Sequence, residues 1–447
     1  MKIDPKEILK KIQAKAVDQA EVYLSSNRSL SIDVLDGKIE TIKEIADIGC
    51  GIRVIKNKKL GFAYTSEFDE AVLADTIDQA INNAQSSEAD EFHSLPRSTV
   101  VSSAVVQGLD LFDPTIGKTL IKEKIQLALQ MEESAYQADQ RVKKTERVQF
   151  SEGEGEVWVV NSNGVDAKYK SNLCGGFAQM IAGHDHGMEA GFGLSFVKKL
   201  ADFDPETVGQ EAAQRATELL GAKSLKSQKL ALVIAPHVGT DILSALVAAL
   251  SADAVQKGKS MFADKLGQLV GANVLTVIDN GRLENGLSTA PFDGEGVPTQ
   301  EKKLIADGKL LTFLYNTYAA NKGQVNSTGN AVRGSFKGLP GIGTTNLYIP
   351  AGKDHPDKII KSLKKGLYVT RVMGMHTVNP ISGNFSVGAA GIMIENGQKT
   401  YPVRGITISG NLIEMLKQVE AVGSDLKFIE DVGSPTLLIH DMTVSGS

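Results

Sequence analysis

The chain has 447 residues, 42% apolar and 23% charged, which is the composition of a folded protein with room for several hydrophobic cores. Its formal net charge is -5, and its basic residues are scattered among acidic ones, so it offers no basic face to a nucleic acid. Two cysteines exclude a disulfide framework or a cysteine zinc site, and no apolar run approaches the roughly 20 residues that span a bilayer. Since the start of the chain also lacks a signal-peptide pattern, we expect a multidomain cytoplasmic protein that binds neither nucleic acid nor membrane.

The first part of the chain has a helical pattern at each end and strand patterns between them. Ile8, Leu9 and Ile12 recur at helical spacing near the start, and Asp36-Gly37 is a hairpin turn signal between alternating segments. The predicted elements are a helix over 5–24, strands over 30–35, 38–45, 51–55 and 60–64, and a helix over 69–84. A polar stretch over 86–97 then breaks the periodicity, which predicts a first α+β unit over residues 1–97.

The same order of elements recurs after this polar stretch. A helix is predicted over 116–138 and another over 205–220, with strand-like segments near 148 and over 157–160, 165–169, 176–181 and 191–196. This repeated order of a helix, antiparallel strands and a second helix indicates two related α+β units, the second over residues 98–224.

The remaining residues, 225–447, are rich in glycine and in predicted strands. An almost wholly apolar helix is predicted over 240–255, and apolarity on every side predicts burial on every side. Two apolar strands turn at Asp307-Gly308 and at Asn396-Gly397, which predicts two hairpins. We therefore expect a mostly antiparallel β domain with a buried helix, and an α+β fold for the whole chain.

The common motifs of soluble enzymes are missing from the sequence: it has no phosphate-binding loop, no dinucleotide-binding glycine motif, no nucleophile elbow and no H-E-x-x-H. Its one close histidine pair is His184 and His186, which on a strand would face one side, where Glu189 can add a carboxylate ligand. The glycines on both sides of the pair instead favour a solvated turn. An independent metallohydrolase that uses these three residues is one hypothesis for function.

Several segments of the second half resemble the TldD/PmbA family of metalloprotease subunits. The resemblance covers most of residues 228–447 and, more loosely, the first half. The matching segments are KGKS at 257–260 and the leucine-rich run to 279, PFDGEGVPTQ at 291–300, YNTY at 315–318, STGN at 327–330, NPISGNFS at 379–386, IENG at 394–397 and SGN at 409–411.

The resemblance also shows what this chain lacks. In the TldD-like branch the apolar helix carries H-E-x-x-x-H, whose histidines bind the metal and whose glutamate acts as general base. The aligned residues here are Leu243, Ser244 and Ala248, and no cysteine follows Cys174 to match the C-terminal cysteine ligand of that branch. Leucine and alanine donate no lone pair, and serine is a poor base near neutral pH. The pattern resembles the PmbA/TldE branch, which implies no catalytic residue and no metal in this chain.

This resemblance implies a function as part of a complex. A PmbA/TldE-like chain pairs as a heterodimer with a TldD-like catalytic subunit, which is expected to hold a zinc-type metal and to cleave peptides or unfolded polypeptides, including a peptide antibiotic precursor during its maturation. The family is also labelled a DNA gyrase modulator, and any effect on DNA gyrase is then expected to be indirect. Other hypotheses are a homodimer without the partner and a stand-alone regulatory protein that binds peptides.

Four polar residues are candidates for contacts with a substrate. Asp293 and Glu295 in FDGEGVPT can bind basic or backbone N–H groups, or can belong to a solvated turn. Asn330 and Arg333 lie in the glycine-rich segment 323–345, which suits a mobile flap, a peptide-lining loop or an ordinary long loop. Exposed edge strands can also bind an extended peptide by adding it as a strand.

Overall fold

The computed structural model describes residues 3–97, 103–184 and 187–446. Within these ranges no helix combines the length and the apolarity needed to cross a membrane. The helices are α1 Pro5–Gln13, α2 Glu70–Ser86, α3 Ser103–Gly108, α4 Pro114–Lys118, α5 Ile121–Ala138, α6 Pro205–Thr217, α7 Pro236–Leu250, α8 Ala252–Gln256, α9 Thr317–Gly323, α10 Pro356–Lys361 and α11 Leu412–Lys417, with 3-10 turns at Leu200–Asp202 and Met375–Thr377.

The strands give the mixed α+β fold most of its framework. They are β1 Gln19–Leu35, β2 Lys38–Lys56, β3 Lys59–Thr65, β4 Val142–Asn161, β5 Asp166–His184, β6 Gly187–Val197, β7 Gln228–Ile234, β8 Val277–Asn280, β9 Glu301–Ala306, β10 Lys309–Leu310, β11 Ala331–Val332, β12 Gly341–Ile342, β13 Leu347–Tyr348, β14 Lys365–Met373, β15 Asn384–Glu395, β16 Gln398–Asn411, β17 Val419–Val422, β18 Lys427–Ile429, β19 Val432–Ser434 and β20 Leu437–Ser445.

The first six strands form one antiparallel sheet, in the order β3-β2-β1-β4-β5-β6. Strands β1 and β4 lie side by side at its centre, with Val22 opposite Val160, so the strands of both predicted units belong to a single sheet. Helices α1 and α2 cover one half of one face through Ile12, Ile77 and their neighbours, and α5 and α6 cover the other half. We call this sheet with its helices the N-terminal domain.

The first helix is shorter than its pattern predicted. It begins at the N-cap Asp4 and ends at Gln13, and the predicted helical residues from Gln19 onward belong to β1. Ala16 has a φ of 55°, which breaks the helix between the two elements. Residues 20–25 are all buried, and Ala20, Val22 and Leu24 share the face of the sheet that packs against the helices, so this packing decides their conformation.

The C-terminal domain, residues 228–446, contains two six-stranded sheets around one core. One sheet has the order β10-β9-β8-β13-β19-β18, and the other has the order β16-β15-β14-β7-β20-β17. Because β16 also pairs with β20, five strands of the second sheet close into a ring. The predicted turns at Asp307-Gly308 and Asn396-Gly397 are confirmed, since all four residues have positive φ as tight hairpin turns require.

Helix α7 packs against β14, β18 and β19, and most of its large apolar residues lie in the common core. Burial on every side was nevertheless a wrong prediction, because Asp241, Ser244 and Ala248 form an exposed stripe along the helix. Small residues such as Ser and Ala contribute little apolar area, so they can face solvent at little cost. The helix is thus covered on its sides except along this stripe.

The segment 331–343, which we call the bridging segment, lies against the N-terminal domain. Phe336 is 1% exposed and packs with Tyr23 and Val159 on the face of the sheet that the helices do not cover. Two strand glycines make room for it, because a Cβ on Gly49 would lie 2.2 Å from the Phe336 ring. The sequence left open a mobile flap, a peptide-lining loop or an ordinary long loop over residues 323–345, and the structure places residues 331–343 against the sheet.

Candidate functional site

The three aligned positions of α7 differ in their surroundings. Leu243 is 1% exposed and belongs to the core, whereas Ser244 and Ala248 lie on the exposed stripe. The Ser244 hydroxyl donates to the Thr240 carbonyl at 2.8 Å, so its proton is already used within the helix. These side chains supply no metal ligand and no general base on this helix.

The histidine nearest the start of α7 is held neutral. Its Nε2 atom lies 2.7 Å from the Thr370 carbonyl oxygen. Burial, reinforced by the charge of Arg215, lowers the pKa of His237 to about 4. His237 therefore serves as an uncharged hydrogen-bonding group between α7 and β14.

The alternative metal site at His184, His186 and Glu189 is weakened by the structure. His186 and the side chain of His184 lie outside the described residues. Glu189 is 2.9 Å from Arg371 Nη1 and 2.7 Å from Arg404 Nη1, one arginine at each carboxylate oxygen. A carboxylate neutralised by two guanidinium groups is a poor ligand for a cation.

Three of the four predicted substrate-binding residues lie together in a buried network between the two domains. Glu295 Oε1 is 2.8 Å from Arg53 Nη1, and its Oε2 accepts the Thr317 N–H at 2.8 Å. Arg53 Nη2 is 2.6 Å from Glu21 Oε2, and Arg333 also pairs with Glu21. The side chains of Arg53, Glu21, Glu295 and Arg333 are at most 7% exposed.

Asp293 is the third carboxylate of this network. One of its oxygens accepts the N–H groups of Glu295 and Val297, at 2.9 and 3.0 Å, and the other accepts the N–H of Ala331 at 3.0 Å. Burial, followed by the charge of Glu295, raises the pKa of Asp293 to about 7. Burial alone would also raise the pKa of Glu295, but the Arg53 guanidinium lowers it below its usual value. Asp293 is therefore the group of this network that gains or loses a proton near neutral pH.

Asn330, the fourth candidate, belongs to an adjacent buried network. Its amide donates to Asp279 at 2.8 Å and to the Gly343 carbonyl at 2.9 Å. Asp279 is fully buried and also pairs with Lys302 at 2.7 Å. In this conformation the polar groups of all four residues are engaged inside the protein. A substrate contact stays a prediction that requires these pairs to open.

A cavity of about 400 Å³ lies beside this network, between the N-terminal sheet and the C-terminal domain. Arg53 and Glu295 reach one wall, and the rings of His93 and Tyr318 form another, with their centroids 5.1 Å apart. Sequence reasoning missed this cavity, although Tyr318 lies in the YNTY segment and His93 in the polar stretch 86–97. Asp253, just after α7, also lines it.

Comparison with known proteins accounts for nearly the whole chain. Three family models match it: PmbA/TldA metallopeptidase domain 1 over residues 20–84, the central domain over 115–220 and the C-terminal domain over 227–446. Metalloprotease PmbA of Escherichia coli O157:H7 is 30% identical over 96% of this chain and 92% of its own length. The chain belongs to the PmbA/TldD metallopeptidase family.

Relatives from both branches of the PmbA/TldD family span the same length. A metalloprotease TldD homolog of Haemophilus influenzae is 28% identical over 96% of this chain and 93% of its own length. The crystal structure of a candidate modulator of a DNA gyrase from Thermotoga maritima superposes with a TM-score of 0.89 at 28% identity, covering 99% of both chains. The α+β fold described above is thus the fold of this family over the full chain.

The residues of this PmbA/TldD-family chain do not fit a catalytic metal at the helix position. Leu243 is hydrocarbon in the core, Ala248 ends at its Cβ, and the Ser244 hydroxyl is bonded to the helix backbone. Across the part of the chain that the structure describes, no three His, Cys, Asp or Glu side chains form a group able to hold a metal ion. The two cysteines are both buried, and burial raises the pKa of each thiol to about 12. A buried neutral thiol is a poor ligand.

Proposed function

We propose that this chain is the substrate-positioning subunit of a heterodimeric peptidase whose catalytic metal belongs to a TldD-like partner. The observation that carries the proposal is the replacement of histidine, glutamate and histidine by Leu243, Ser244 and Ala248 on an intact α7. None of these three side chains supplies a group that metal-assisted hydrolysis requires. A chain of this kind contributes shape and binding rather than chemistry.

The substrate class we propose is extended peptide or unfolded polypeptide. Strand β3 pairs with β2 only over residues 50–56, so the described residues 38–49 of β2 have one edge without a strand neighbour. Such an edge can bind an extended peptide through its backbone groups. Lys38, Glu40 and Lys43 along it are exposed, and edge charges of this kind discourage unselective strand pairing.

Co-purification with a TldD-like protein, followed by metal analysis, tests the assignment. We expect a heterodimer with one tightly held metal ion per pair, peptidase activity in the complex, and neither property in this chain alone. Stoichiometric metal and robust peptidase activity in the isolated chain would reject the proposal. A stable homodimer that ignores the TldD-like protein would instead favour a stand-alone peptide-binding regulator.

A double variant separates this proposal from an independent metallohydrolase. Replacing His184 and His186 with alanine should leave the activity of the complex nearly unchanged, because the proposed metal ligands lie in the partner. Loss of an activity shown by the isolated chain would support the alternative site.

We further propose that the complex acts in the cytoplasm and that any effect on DNA gyrase is indirect.

A further inference from the structure

We propose that the cavity between the N-terminal and C-terminal domains is a binding site for an alkylammonium group, supplied by a lysine side chain of a peptide. The cavity is lined by apolar residues and by polar ones, which include the charged side chains of Arg53, Asp253 and Glu295 and the rings of His93 and Tyr318. Its volume of about 400 Å³ is large enough for one long side chain with neighbouring backbone.

The apolar side suits the stem of such a side chain. Ile55 and Leu60 line it from the N-terminal sheet, and Leu339, Pro340 and Ile342 line it from the bridging segment. Leu339 is 44% exposed, so the described residues leave part of this wall uncovered. Lysine buries its methylene groups along such surfaces while its charge reaches a polar end.

The polar side suits a cation rather than an anion. Asp253 lines the cavity, and Lys257 Nζ lies 2.8 Å from one of its carboxylate oxygens and 2.9 Å from the other. Both side chains are about half exposed, so this is a weak surface pair. Both oxygens of Glu295 are already used, and the charge of Arg53 is matched by Glu21 and Glu295. Asp253 is therefore the carboxylate of this wall whose present partner a ligand cation can replace most easily.

The aromatic wall adds to this preference. The Tyr318 hydroxyl donates to Asp90 at 2.7 Å, which fixes the ring beside His93. The bond to Asp90 raises the pKa of Tyr318 to about 12, with burial and the charge of Asp253 contributing, so the phenol stays neutral. Burial lowers the pKa of His93, so the imidazole is also neutral near pH 7. A tyrosine ring beside a carboxylate attracts ammonium groups.

The experiment measures binding of two labelled pentapeptides to the isolated chain by fluorescence anisotropy at low salt. One is acetyl-Ala-Ala-Lys-Ala-Ala-amide, and the other has norleucine in place of lysine, which keeps the stem and removes the charge. We expect the lysine peptide to bind at least five times more tightly. The preference should fall below twofold in Asp253→Asn and persist in Asp253→Glu, and Leu339→Ser should weaken both peptides.

Matched exposed positions supply the controls. Asp264→Asn and Leu266→Ser lie outside the cavity lining and should leave both affinities unchanged. Competition with pentylamine separates the two sources of the group, because displacement shows that a free alkylammonium suffices, while its absence assigns the site to peptide-borne lysine. Equal affinity for the two peptides, no binding of either, or a lysine preference that survives Asp253→Asn would overturn the proposal.

The inference rests on the proposed peptide-positioning role, but its test uses this chain without a partner. If the chain shows no preference for lysine, the result of the co-purification still stands. If the co-purification yields no heterodimer, the comparison of the two peptides can still be interpreted.

Discussion

Gly51 is the residue at which one added methyl group most directly tests the contact between the two domains. In Gly51→Ala the new Cβ would lie 2.5 Å from the Phe336 carbonyl oxygen and 3.0 Å from the Phe62 ring. Because a backbone atom must move, we expect a loss of about 1–3 kcal/mol in the free energy of unfolding, measured by denaturant titration. Gly334→Ala, where a Cβ meets nothing within 4 Å, is the control. Equal stability of the two variants would contradict the docked position of Phe336.

Asp293 gives a second prediction, on pH. Its folded pKa of about 7 lies above its ordinary 3.8, so between these values the folded chain keeps a proton that the unfolded chain has released. The stability that Asp293 contributes is therefore fully present below about pH 4. It falls as the pH rises from about 4 to about 7, and it is lost above about pH 7. One proton bound by only one of the two states changes the free energy of unfolding by at most about 1.4 kcal/mol per pH unit.

Asp293→Asn should remove this slope, measured as the difference between wild-type and variant unfolding free energies at several pH values from 4 to 8. The difference is needed because His237, with a folded pKa of about 4, contributes the opposite slope between pH 4 and 6.5 in both proteins. Asp264→Asn, at an exposed position, should leave the slope as it is. Parallel curves for wild type and Asp293→Asn would refute the assignment of this proton.

These residues also show where sequence reasoning at this scale stops. The sequence predicts contacts with a substrate for Asp293 and Glu295, and the structure places both side chains in an internal network. The partner of Glu295 is Arg53, 242 positions earlier in the chain, and no local sequence pattern predicts a pair at such a separation. A carboxylate in a glycine-rich loop has the same sequence signature whether it faces solvent or a buried guanidinium.

At the scale of elements, the two faces of α7 predict opposite outcomes. Leu243→Ala removes a core side chain that is 1% exposed, and we expect a cost of about 2–5 kcal/mol in unfolding free energy. Ser244→Ala changes an exposed residue whose hydroxyl bonds its own helix, so its effect should stay within about 0.5 kcal/mol. Thermal unfolding of both variants makes the comparison. A small effect at Leu243 together with a large one at Ser244 would mean that the helix is rotated from its position here.

The elements that local signals specify were predicted well. Turns at Asp36-Gly37, Asp307-Gly308 and Asn396-Gly397 and the helix after Asp69 follow from residues within four positions of one another. Elements that depend on distant packing were predicted less well. Residues 19–24 form a strand because β2 and β4 flank them, and that pairing is invisible to helical periodicity.

At the scale of the whole molecule, the union of two helix-strand-helix units in one sheet is a long-range property. The pairing of β1 with β4 joins residues more than 100 positions apart, without a hairpin turn to predict it. The sheet then offers one face to its own helices and the centre of the other face to Phe292 and Phe336 of the C-terminal domain. The alternation of β1, with Val22 and Leu24 on one face and Glu21 and Tyr23 on the other, serves both contacts.

Arg53 connects the two domains through ion pairs with Glu21 and Glu295, and we expect its removal to destabilise the chain. Arg53→Met leaves Glu21 without one of its two arginines and Glu295 without its guanidinium, both in buried surroundings. Uncompensated buried charge typically costs about 3–5 kcal/mol. Arg28→Met removes an ion pair with Glu44 on the same two strands, but Arg28 is 70% exposed, so its loss should cost at most about 1 kcal/mol.

Differential scanning calorimetry distinguishes a local effect of Arg53 from a role in coupling the domains. Because the network spans both domains, we expect Arg53→Met to split the unfolding transition into two, while wild type and Arg28→Met keep one. Arg53→Met with Glu295→Gln should be less destabilised than the sum of the single variants, since the second change removes the charge that the first left unpaired. A single unshifted transition in Arg53→Met would show that apolar contacts such as that of Phe336 hold the domains together without the buried ion pairs.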